Sequence, residues 1–240
     1  MQNPKKELTE YFQQLLYRFL RIHSLMRQLS ILSEWELKSD NPTEIVGEYF
    51  YELFRHSAGR MVILDLYNLI SSDNQKSLID WLALAKIHWK SLDLSALDIA
   101  KNTGVRTRIS LKQQEYNAII DEANENILKH HETINSLKGF RDKDIAHSDS
   151  SIFNNPTKFR EQYPLSNIDI SLLMEVVSQI LHKQYLLIFH SDLTMEITSS
   201  NEIDNILRHT RAFTRVWRDK RITKDSKIRV SEYLQDDYHD

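Results

Sequence analysis

At 240 residues, the chain is long for one all-α domain and short for two full ones, and its 41% hydrophobic and 27% charged content is that of a folded globular protein, not a disordered one. Four Gly and four Pro supply little turn chemistry for a many-stranded sheet, and the lack of Cys excludes disulfides, thiolate zinc sites and a Cys nucleophile. The net charge of −3 points to no class of partner, but the charge is unevenly spread.

Residues 5–35 read as a first helix, because Leu8, Phe12, Leu15, Leu16, Phe19, Ile22, Met26 and Leu29 recur at three- and four-residue steps. Ser39–Thr43 ends it, and Pro42 suits the first turn of the next helix. That second helix is predicted over 43–70, with deep burial expected for Met61-Val62-Ile63-Leu64. Ser71–Asn74 is a break. A third helix over about 74–91 places Trp81 and Trp89 on one face, a core-packing pattern. A looser stretch, 92–109, contains Asn102-Thr103-Gly104, and one long polar helix is expected over about 110–138, with Gly139 weakening or kinking its end. A loop excursion over 148–166 leads to an apolar helix at 168–190 and a last helix at 200–218. The expected fold is all-α: an up-and-down bundle of five or six helices in residues 1–195, with a basic helix and tail in 196–240 packed on it or extending from it.

No apolar run approaches the roughly 20 residues that cross a bilayer, so no membrane partner is expected. Glu7, Glu10 and two glutamines follow the first lysines, which is not the pattern of a signal peptide. With the missing cysteines, this makes the cytoplasm the expected location.

The segment Arg141-Asp142-Lys143-Asp144-Ile145-Ala146-His147 carries the most chemistry. Arg supplies a permanent cationic fork for phosphate, and His a proton donor or acceptor near neutral pH. Together they are what metal-free RNA cleavage needs: a base for the 2′-hydroxyl and a cation for charge growing at phosphorus. On a regular helix of about 100° per residue, Arg141 and His147 are roughly 120° apart and share no face. The competing reading is structural, with Arg141 and Asp144 as a solvated i,i+3 ion pair and His147 favoured at a helix C-terminus.

Phe140–Asp149, with its Arg, five intervening residues of which the first is polar, and His, resembles the signature of the HEPN superfamily. The form Arg-Asp-Lys-x-x-Ala-His-Ser-Asp is similar to abortive-infection HEPN proteins of the AbiU type, and Leu64–Leu69 with its Ser/Asp break and Trp-bearing helix fits the same group. The resemblance covers roughly residues 5–190. It implies a helical bundle that dimerises with the motifs facing each other, and a metal-independent endoribonuclease in a prokaryotic defence or toxin setting, with an antitoxin protein as a further partner. His147 would transfer the proton, Arg141 would hold the scissile phosphate, and Asp142 would orient one of them; the products would be a 2′,3′-cyclic phosphate and a 5′-hydroxyl. His147 of one chain would work beside Arg141 of the other. Some relatives carry a modifiable Tyr two residues after the His, where this chain has Asp149. With Asp142 and Asp144, Asp149 makes the motif acidic, which favours the alternative of a non-catalytic HEPN module binding nucleotide, RNA or a protein.

Residues 208–229 set nine cationic side chains against Asp219 and Asp225, with Phe213 and Trp217 interleaved. Arg208, Arg211, Arg215 and Arg218 fall on one side of a helix, a stripe able to track a phosphate backbone; with Lys143 they are the candidate RNA-binding residues. The alternative is a solvated helix packed through its aromatics. Lys101, Arg106 and Arg108 form a smaller cluster. His130-His131 lacks the second ligand pair of a metal motif, and Gly104 lies in no phosphate-loop context, so no metal or cofactor is expected.

Overall fold

The computed structural model describes residues 3–38, 48–73, 76–99, 106–145, 156–191, 193 and 203–210. They are mostly helical. The elements are α1 (Pro4–Lys38), α2 (Glu48–Ile70), α3 (Leu78–Ile87), a 3₁₀ turn (Trp89–Leu92), β1 (Ser95–Ile99), β2 (Arg106–Ser110), α4 (Gln113–Leu128), α5 (His131–Gly139), a π turn (Phe140–Ile145), α6 (Pro156–Gln162) and α7 (Asn167–Phe189). Residues 203–210 form a further helix, α8. No described helix is long and apolar enough to cross a membrane.

The chain divides into two compact units, one of residues 1–22 with 63–195, the other of 23–62 with 196–240. The first holds the larger core. Asn3-Pro4 starts α1 as a polar cap followed by Pro at the first helical position; the Asn3 Oδ1 accepts from the Lys6 amide at 3.2 Å. Leu8, Phe12, Leu15, Phe19 and Ile22 then bury one stripe of the helix. Trp81, fully buried, stacks at 4.8 Å from Phe12 and donates its indole N–H to the Leu8 carbonyl at 2.9 Å. Full burial of an indole requires such a partner. Ser77 and Asp80 form a reciprocal capping box that fixes where α3 begins. On α4, Tyr116, Ile120, Ala123 and Ile127 recur at helical spacing and are buried, and the Tyr116 hydroxyl donates to Gln184 Oε1 on α7 at 2.9 Å. The second unit packs Ile31, Leu32, Tyr51, Ile203 and Leu207 with Trp35 and Phe54, and Asp204 accepts from the Trp35 indole at 2.8 Å.

Four expectations are corrected. Of Met61-Val62-Ile63-Leu64, Val62 is buried but Met61 is 43% exposed, and the deep burial on α2 lies further on, at Leu66, Tyr67, Leu69 and Ile70. Trp89 leaves the helical face of Trp81, because α3 ends at Ile87 and Trp89 begins a 3₁₀ turn. The looser stretch contains an antiparallel hairpin, with Ser95 opposite Ser110 and Ile99 opposite Arg106. The single helix over 110–138 is two, parted at Lys129 and His130, where the His130 amide bonds the Ile127 carbonyl three residues back instead of four. With about 100° per residue, an unbroken helix would turn Leu137 roughly 80° away from Ile127; the break returns Leu137 to full burial.

Candidate functional site

The motif begins where α5 gives way to the π turn. Gly139, at that junction, is buried against the ring of Tyr163, so close that a Cβ would overlap the ring carbons. The aromatic contacts continue from there: Phe159 meets Tyr163 at 5.3 Å and Phe140 edge-on at 4.9 Å. The chain thus changes from α to i→i+5 winding against a packed aromatic wall. Wide turns of this kind re-aim the side chains that follow. The regular-helix angle between Arg141 and His147 therefore does not apply to this segment.

Arg141 lies over the ring of Tyr67, with the guanidinium carbon 4.2 Å from the centroid. Its Nε reaches Asp142 Oδ1 at 2.5 Å, and its Nη2 pairs with the same oxygen. Arg141 and Asp142 are thus brought together as expected. Lys143 rests on a different ring, its Nζ 5.2 Å from the centroid of Tyr163. Both described cations of the motif thus rest on aromatic faces, a favourable seat for positive charge.

Tyr67 is buried, and its hydroxyl donates to Asp73 Oδ2 at 2.7 Å. Lys138 donates to the same oxygen at 2.8 Å. This explains the direction of three pKa values. Burial, more than any neighbour, pushes the Tyr67 phenol up, with Asp73 adding to the rise and Ser71 and Arg141 opposing it. The hydrogen bond from Lys138, then that from Tyr67, holds the Asp73 carboxyl down. The Lys138 ammonium is raised chiefly by Asp73. Nearby, Arg21 of α1 grips Asp65 through both Nε, at 2.8 Å, and Nη2, at 2.5 Å, and Arg18 donates to the Asn68 carbonyl at 3.1 Å. These bonds fix the end of α2 that presents Tyr67.

His147, Asp149, Arg211, Arg215 and Arg218 lie outside the described residues, as do the side chains of Asp144, Arg106 and Arg108. Arg208 is half-buried and donates to Asp204, four residues back, at 2.8 Å. Among the described residues, no three His, Asp or Glu side chains gather as a metal site. Tyr67, Asp73 and Lys138 join the site only through the fold. Tyr67 and Asp73 stand in two segments that the sequence does mark, Leu64–Leu69 and the Ser/Asp break after it, but nothing local ties either to Arg141 or Lys138.

No family model matches the chain, and neither a curated protein nor a solved structure matches it.

Proposed function

We propose that the chain is a HEPN-type endoribonuclease that cleaves RNA without a metal. The observation that carries this reading is the seating of Arg141: a half-buried guanidinium, stacked on a buried Tyr67 and held at the opening of a π turn that leads toward His147. In the proposed reaction, His147 takes the proton of the 2′-hydroxyl and the 2′-oxygen attacks phosphorus. The bond to the 5′-oxygen breaks, and that oxygen leaves as a 5′-hydroxyl with a proton returned by the His147 imidazolium, the other product being a 2′,3′-cyclic phosphate. Arg141 holds the phosphate oxygens as negative charge builds. A second copy supplies the facing motif, and a prokaryotic defence or toxin setting with an antitoxin partner follows from the same resemblance.

RNA cleavage by the wild-type protein in EDTA tests the reading. Proton transfer by a placed side chain contributes ~10²–10⁴-fold, and His147→Ala is expected to lose activity on that scale. Arg141→Ala is expected to lose about 10²–10³-fold, the usual loss when a charge-stabilising donor is removed. Undiminished cleavage by His147→Ala removes that residue from the mechanism. The pairing of Arg141 with Asp142 favours a second reading, a non-catalytic module that binds nucleotide, RNA or a protein. It predicts no cleavage by the native chain and binding indifferent to His147.

A further inference from the structure

Lys138 and Arg141 stand one helical turn apart, and both are tied to one buried side chain. Arg141 covers the ring of Tyr67; Lys138 reaches its hydroxyl through Asp73. Each cation faces a carboxylate, Asp73 or Asp142, whose side chain is 46% or 40% exposed. The two carboxylates hold their cations in different ways. Asp73 comes from the loop after α2, a separate element from Lys138. Asp142 is the immediate neighbour of Arg141 and meets the Nε/Nη2 edge of the guanidinium with a single oxygen. The Lys138–Asp73 pair is exposed on both sides and such pairs contribute little to stability, so a competing anion displaces it readily; in the other pair the guanidinium is half-buried and Asp142 is the exposed partner.

We infer that Lys138 and Arg141 form a two-point cradle for successive phosphates of single-stranded RNA, closed in the free protein by Asp73 and Asp142 acting as stand-in anions. The floor of the cradle is rigid. Tyr67 is buried, and α2 is pinned by the bonds of Arg18 and Arg21, so Arg141 keeps its seat on the ring while the carboxylates swing out. Two cations one turn apart suit neighbouring phosphates of a chain better than one terminal phosphate. Asp73 is then a brake on binding, and Lys138 an RNA contact that the Arg–His pattern does not contain.

The inference rests on the RNA reading, but its test does not depend on cleavage. The probe is a short, fluorescently labelled 2′-O-methyl RNA oligonucleotide, which lacks the attacking hydroxyl, and binding is read by anisotropy across a salt series. Lys138→Ala is expected to weaken binding several-fold and to reduce the log–log salt slope by about 0.7, the value of one phosphate contact on a single strand. Asp73→Asn is expected to tighten binding several-fold, with its thermal melt as the folding control. A merely structural ion pair moves both variants in the same direction or neither; the cradle requires opposite signs. Adenosine monophosphate competing as well as the oligonucleotide would replace the strand with a single-phosphate ligand and overturn the inference. If the wild type cleaves RNA but the variants bind like it, the inference alone falls. If the variants shift as expected and no cleavage occurs, the nuclease reading falls and the cradle stands. If the wild type neither binds nor cleaves, both fall.

Discussion

Gly139 is the residue on which the geometry of the motif turns. Its missing side chain lets the body of the Tyr163 ring lie against the backbone where α5 ends. Gly139→Ala forces that ring, and with it Phe159, to move. Overpacking of this kind costs typically ~1–3 kcal/mol, and a drop of that size in urea-unfolding free energy is expected. Tyr116→Phe acts by the opposite means, since it adds no bulk but leaves the buried Gln184 Oε1 without its donor; about 1–3 kcal/mol is expected to be lost, again by urea unfolding. At this scale the sequence was partly legible. Arg141 and Asp142 are neighbours in the chain, and their meeting could be read locally. The seat of Arg141 on Tyr67 could not, because it joins the π turn to α2, positions far apart in the chain.

Helix boundaries follow local chemistry where a cap fixes them. Ser166 takes the Asp169 amide at 3.1 Å, while Asp169 takes the Ser166 amide at 2.9 Å, and α7 starts there. Ser166→Ala is expected to cost ~0.5–2 kcal/mol and to raise hydrogen exchange in the first turn of α7, leaving its last turns unchanged. The predicted 168–190 and the observed Asn167–Phe189 agree because apolar period and capping signal coincide. The break between α4 and α5 was not legible. Neither Lys129 nor His130 is a helix breaker, so no residue at the interruption announces it. The hairpin did leave a trace, in alternating Thr107 and Ile109 and the Asn102-Thr103-Gly104 turn signal, but one short strand pair among long helical periods is a faint pattern.

The division into two units was not legible either, because α1 and α2 run without interruption through sequence that belongs to both. The second core is the smaller, and local stability follows the apolar surface buried. Amides of α8 are therefore expected to exchange with deuterium faster than those of α7. For the whole molecule, pH acts on three phenols. Burial raises the pKa of Tyr11, Tyr67 and Tyr116 in the folded state. Their contribution is complete below the ordinary tyrosine value of 10.0 and is lost as pH rises through the folded values; the raised Lys138 loses its contribution in the same direction. The urea midpoint is expected to fall between about pH 9 and pH 12, less steeply in Tyr116→Phe. On the acid side Asp73, Glu122 and Asp169 are lowered by hydrogen bonds from Lys138, Lys183 and Ser166, so their contribution holds above the ordinary carboxylate range and is lost as pH falls through the folded values.

The π turn makes the interval between Arg141 and His147 a matter of counting. Such a turn fits one more residue into the path than an α turn does. Deleting Lys143 would let 140–145 rewind as ordinary helix, with Arg141 still on Tyr67 and every later residue one step nearer along the chain. The deletion would leave both the Arg and the His in the protein and alter the reach from one to the other, with the Lys143 cation lost besides. Insertions and deletions inside this turn, more than substitutions, are therefore the changes by which such a chain could tune or silence its chemistry while keeping its fold.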